Sequence, residues 1–110
     1  MSSQSILFEK SDGVATVTLN QPATLNALTL PMVRQLRQVV ADVARDRDVR
    51  TALITGAGRG FCSGANLLGG SGETLATGGM GVRAAVLLMN EVLANIAEME
   101  KPWLAAVNGP

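Results

Sequence analysis

Histidine is absent from this 110-residue chain, cysteine occurs once, and neither sign of charge dominates. Without histidine, no Ser-His-Asp or Cys-His catalytic set and no His-ligated zinc site can be assembled within it. A lone Cys62 excludes an internal disulfide and fits a reducing compartment. Nine basic against nine acidic residues leave no electrostatic footprint for nucleic acid or an anionic membrane surface. Long hydrophobic runs are missing too. The longest strongly apolar stretch, residues 84–89, falls far short of the roughly 20 residues that span a bilayer. Met1-Ser2-Ser3-Gln4-Ser5 has no basic region leading into an apolar run, so no secretory signal is expected. These absences read together as a soluble cytoplasmic protein with no nucleic-acid or membrane partner.

What is present is 47% hydrophobic residues at a mean hydropathy of +0.27, enough apolar surface for the core of one small domain. Residues 6–10 and 14–19 read as two strands of a hairpin turned at Asp12-Gly13, and in the second strand Ala15, Val17 and Leu19 share the greasier face. A helix is expected over residues 30–45. Thr29 is its N-cap, Pro31 lies in its first turn, and Met32, Val33, Leu36, Val39, Val40 and Val43 form an apolar stripe to lay on a sheet. Residues 46–50 are a charged connector, and residues 51–55 a short buried strand.

The chain is organised around the loop that this strand enters, in which Gly56, Gly58 and Gly60 alternate and bare backbone N–H groups could face a ligand. As a phosphate loop the match is poor, because no Gly-Lys-Ser/Thr occurs and Arg59 is the only base nearby. As a dinucleotide fingerprint it places Phe61 where the third glycine belongs. The short-chain dehydrogenase variant fits Thr55, Gly56 and Gly60, fails at Cys62, and calls for a helix starting at Gly60. A plain glycine-rich turn also remains open. Beyond it, residues 69–81 read as a mobile surface loop with Glu73 its one acid, a solvated carboxylate rather than a base. Residues 82–99 read as a helix apolar enough to be buried on most sides. Lys101-Pro102 ends it, and residues 103–107 form a buried strand in which Trp103 packs.

Ile54-Thr55-Gly56-Ala57-Gly58-Arg59-Gly60-Phe61-Cys62-Ser63-Gly64-Ala65-Asn66-Leu67 resembles the oxyanion-hole segment of the crotonase family, the enoyl-CoA hydratases and isomerases. Asn20-Gln21-Pro22, followed by Asn26-Ala27-Leu28, is similar to that family's early segment. Lys101-Pro102-Trp103-Leu104-Ala105-Ala106-Val107-Asn108-Gly109 is similar to its later strand and turn. The resemblance implies an α/β fold, a crotonase-like ββα spiral truncated to its first units, with residues 1–110 the N-terminal part of such a domain. It also implies a homo-oligomer, a trimer or dimer of trimers, and an acyl-CoA thioester as substrate, with no cofactor beyond the coenzyme A it carries and no metal.

In that family an enolate oxygen gathers charge during reaction, and preorganised N–H donors stabilise it, each typically worth on the order of 10² to 10³ in rate. The resemblance places one donor on the Ala65 amide and lays Ala65, Asn66, Leu67 and Leu68 along the coenzyme. Ser63 and Gly64 shape the turn, Phe61 and Cys62 are buried supports, and Thr24, Leu25, Asn26 and Ala27 edge the coenzyme's other side. Thr24 stands where a basic residue often meets a coenzyme phosphate, Asn66 where an aspartate is frequent, and Leu68 where some hydratases have lysine. A backbone donor is indifferent to all three changes. The second donor and the acid/base carboxylates of the family fall beyond Pro110, so the 110 residues alone are expected to be inactive, with open sheet edges prone to self-association. A non-catalytic interaction module that keeps the fold's first layer is the alternative.

Overall fold

The computed structural model describes residues 4–64 and 78–110. Among these residues, four strands form one sheet in chain order. Strand β1 (Ile6–Ser11) pairs antiparallel with β2 (Val14–Leu19), and the hairpin turns on Asp12 and Gly13 at φ 53° and 83°. Two consecutive positive φ values are what a tight hairpin matched to strand twist requires, which explains the Asp-Gly pair. Helix α1 (Leu30–Arg45) then carries the chain across to β3 (Thr51–Gly56), parallel to β2. Helix α2 (Gly78–Glu98) precedes β4 (Trp103–Ala106), parallel to β3.

Helix α1 begins where its cap dictates. The Thr29 hydroxyl accepts from the Met32 amide at 3.3 Å, and a proline occupies the first turn, where no intrahelical N–H is needed. Met32, Val33, Leu36 and Val40 are buried against Ile6, Val17, Leu19 and Val92, Val43 is buried as well, and Val39 is half-buried. Each such side chain removed from water contributes roughly 1.5–3 kcal/mol. Val49, inside the charged connector, is also buried, in a second cluster with Ala15, Val43 and Ala52.

Register explains which strand residues are covered. Ala15, Ala52 and Trp103 align across the sheet, as do Val17, Ile54 and Ala105, and this face takes the helices. The other face carries Thr16, Leu53 and Leu104 in one row and Thr18, Thr55 and Ala106 in the next. The burial expected for residues 103–107 is therefore wrong: Leu104 is 59% and Val107 66% exposed, and Trp103 is half-buried. In β3 only Ala52 is buried; its other residues are half-buried. An apolar strand is hidden on both faces only where layers lie on both, and the described residues cover one.

Helix α2 differs in the same way. It starts at Gly78, four residues ahead of the expectation, because glycines carry no side chain to register a period. Leu88, Met89, Val92 and Ile96 pack toward the core, whereas Val86, Leu87 and Leu93 are more than half exposed, so it is not buried on most sides.

The ends of the helical layer are pinned by charge. Lys101 Nζ donates to the Val43 and Asp46 carbonyls at 2.6 and 2.5 Å, closing the C-terminal end of α1, where orphaned carbonyls favour a cation. Lys10 Nζ lies 2.8 Å from Asp46 Oδ2. That hydrogen bond raises the lysine's pKa and lowers the aspartate's, in a pair too exposed to add much stability. Replacing Lys101 by methionine keeps the stem and removes the donors. The expected loss is about 2 kcal/mol in urea unfolding, from two charge-assisted bonds at a half-buried site, and an unchanged midpoint would contradict it.

Candidate functional site

Strand β3 runs out into the glycine loop, and two asparagines hold that loop by its carbonyls. Asn26 is fully buried, with φ 58°, a left-handed conformation that asparagine tolerates. Its Nδ2 donates to the Ala57 and Gly60 carbonyls at 3.0 and 2.8 Å, and its Oδ1 accepts from the Gln21 amide at 2.6 Å. From the other side, Asn108 Nδ2 donates to the carbonyls of Gly56 at 2.9 Å, Gly58 at 3.0 Å and Gly60 at 3.3 Å. Its Oδ1 accepts from the Gly56 amide at 3.3 Å. A carboxamide serves as donor and acceptor at once without charge, which is what a loop presenting both kinds of backbone group demands.

The glycines follow from close approach. A Cβ on Gly56 would stand 2.5 Å from the Gly60 carbonyl oxygen, 2.6 Å from that of Phe61 and 2.8 Å from Asn26 Nδ2. Gly58 has φ +82°, and a Cβ on Gly109 would overlap the Arg59 carbonyl oxygen. Past the loop, the Phe61 and Cys62 amides donate to the Pro110 carbonyl at 2.6 and 3.0 Å. Both side chains are half-buried rather than buried, with Cys62 against the core.

The structure brings two of the expected segments together. The Ser63 amide donates to the Leu25 carbonyl at 2.9 Å, its hydroxyl donates to the Thr24 carbonyl at 3.0 Å, and the Leu28 amide donates to the Gly64 carbonyl at 2.7 Å. Thr24 and Ser63 are exposed; Leu25, Ala27 and Gly64 are half-buried. Asn26 is a correction: it turns into the loop's interior instead of edging an open side. Its signal in the sequence was an accounting one, since a loop of glycines has carbonyls but no side chains with which to satisfy them. Asn108 answers the same need from the far side of the loop.

Ala65, Asn66, Leu67 and Leu68 lie outside the described residues, as do Glu73 and residues 69–77 of the expected mobile loop; residues 78–81 of that loop are helical. Residues 60–64 form no helix, which removes the feature the dehydrogenase reading called for. Among the described residues no group of Cys, Asp and Glu comes together as metal ligands would, and no helix is long and apolar enough to cross a membrane. Clefts of about 470 and 520 Å³ run along α1, lined by residues such as Gln35 and Val39 or Arg37 and Glu91, away from the loop.

Residues 14–110 match the family model described as enoyl-CoA hydratase/isomerase. The chain is 37% identical over 107 residues to the 1,2-epoxyphenylacetyl-CoA isomerase of Escherichia coli, covering 94% of this chain and 40% of that protein. It is 33% identical over 110 residues to the short-chain-enoyl-CoA hydratase of Clostridium acetobutylicum, covering 99% and 41%. The crystal structure of an enoyl-CoA hydratase from Mycobacterium avium subsp. paratuberculosis aligns at a TM-score of 0.77 and 32% identity, over 100% of this chain and 41% of that one. The chain thus spans about two-fifths of the length of these relatives.

Proposed function

This chain belongs to the enoyl-CoA hydratase/isomerase family, and from that premise we propose that it binds an acyl-CoA thioester and stabilises an enolate through a backbone donor, the N–H of Ala65. One observation carries the reading: the Gly64 carbonyl is committed to the Leu28 amide at 2.7 Å. Because the N–H of a planar trans peptide lies opposite its C=O, a donor turned away from the segment that holds this carbonyl is what the reading expects of the next amide. Gly64, at φ +114° with open space where a Cβ would be, gives the backbone freedom to make this turn.

In this reading Ser63 and Gly64, hydrogen-bonded directly to the 24–28 segment, form with Thr24, Leu25 and Ala27 one wall for the coenzyme, and Asn66, Leu67 and Leu68 take part in holding it. Coenzyme A enters as part of the substrate, with no separate cofactor. A cytoplasmic homo-oligomer, trimeric or a dimer of trimers, is the assembly proposed, and hydration and isomerisation share this part of the site. The 110 residues by themselves are proposed to bind without turnover, since they supply one donor and no positioned acid or base.

Titration of the chain with acetyl-CoA, followed by amide hydrogen exchange, tests it. Saturable binding that slows exchange at residues 64–68 is the expected outcome; binding with no change there would dismiss the Ala65 donor. The exposed Leu104, Val107, Val86, Leu87 and Leu93 favour a second reading, an interaction module without catalysis. A stable chain with no affinity for acetyl-CoA would select it.

A further inference from the structure

Resting on that reading, we propose that Asn108 is a positioning residue, which sets the orientation of the 56–64 backbone from 52 residues away along the chain. Its carboxamide makes contacts of both polarities with one short segment: an acceptor for the Gly56 amide, and two hydrogens for the three carbonyls of Gly56, Gly58 and Gly60. Turning those carbonyls toward one point turns the N–H groups of the same peptide planes the other way. The two residues after Asn108 extend the hold. Gly109 has no Cβ, so the Arg59 carbonyl can lie against it, and the Pro110 carbonyl takes the Phe61 and Cys62 amides. Residues 108–110 are therefore a rack on which the loop is hung, ending one residue short of Ser63.

Asn108 is exposed, so truncating it opens no cavity and its role is not that of a core side chain. Aspartate has nearly the same shape but only acceptors, and would set a negative charge against three carbonyl oxygens. Both Asn108→Asp and Asn108→Ala remove the donor, and in one respect they differ: aspartate keeps the acceptor for the Gly56 amide. Loss of the three carbonyl contacts should govern both variants alike.

The test compares the full chain with both variants by amide exchange, and by acetyl-CoA affinity wherever the parent chain binds. The expected result is an increase of about tenfold or more in exchange at Phe61, Cys62 and Ser63, with β2 amides unchanged, and acetyl-CoA binding weakened by about tenfold. Unchanged exchange at 61–63 in both variants overturns the proposal. So does an equal loss of protection in β2, which would make Asn108 a residue that supports the whole fold. Unchanged acetyl-CoA affinity in loosened variants also overturns it, by separating the loop from the ligand. If the parent chain does not bind acetyl-CoA, the function proposed above fails, and the exchange comparison alone decides whether Asn108 orients the loop.

Discussion

Asn26→Ala is expected to lower the unfolding free energy by about 3–5 kcal/mol, near the upper end of what single substitutions do. The side chain is fully buried and makes three hydrogen bonds, so alanine strands the Gln21 amide and the Ala57 carbonyl, and leaves the Gly60 carbonyl only the longer bond from Asn108. Each buried group left without a partner costs about 1–3 kcal/mol. Alanine at φ 58° adds about 1–2 kcal/mol of backbone strain that asparagine bears more easily. Asn26→Asp should be at least as damaging despite its matched shape, because a carboxylate facing two carbonyl oxygens offers no hydrogen to either. Urea unfolding measures both. A loss below about 1 kcal/mol, or an aspartate variant as stable as the parent chain, would contradict this account.

Gly56→Ala should be the other severe substitution, and its sign makes it informative. Where a glycine's conformation suits alanine, the exchange usually stabilises by about 0.4–1 kcal/mol, because the unfolded chain loses freedom. Gly56 has no positive φ, so that gain would be available but for its neighbours. The new methyl would meet the carbonyl oxygens of Gly60 and Phe61 and the amide of Asn26, all within 2.8 Å. Two of the three are backbone, which cannot swing aside as a flexible side chain would. Overpacking of this kind costs typically 1–3 kcal/mol, and here relief also breaks the Asn26 bond to Gly60, so a net loss of about 3 kcal/mol or failure to fold is expected. A thermal midpoint equal to or above the parent's would show that the loop is looser than these contacts require. Asn26→Ala and Gly56→Ala share a contact, so their double variant should lose less than the sum.

The elements that could be read from the sequence are those set by neighbours along the chain. β2 and α1 run over the residues their patterns indicate, the Asp12-Gly13 turn has the conformation its residues favour, and Thr29 caps the helix it precedes. The direct hydrogen bonds from Ser63 to the carbonyls of residues 24 and 25 follow from no local pattern, and the family resemblance set those residues only on the coenzyme's other side. Val49 defeated pattern reading because one apolar residue among charges has no period. The burial of residues 103–107 was misjudged because hydrophobicity says that a strand can be covered, and only the layers present say whether it is.

By itself, then, the sequence determined the turn, the cap and the helix that follows it, and the family, because propensity, capping and turn chemistry act over a few residues and glycine has no substitute at a crowded turn. Tertiary structure alone decided that Asn26 and Asn108 grip the loop by its carbonyls, across 34 and 52 residues, and which apolar faces stay open to water. Hydrogen-bond partners at such separations are fixed by how the sheet and helices stack, a relation that no short window of residues contains.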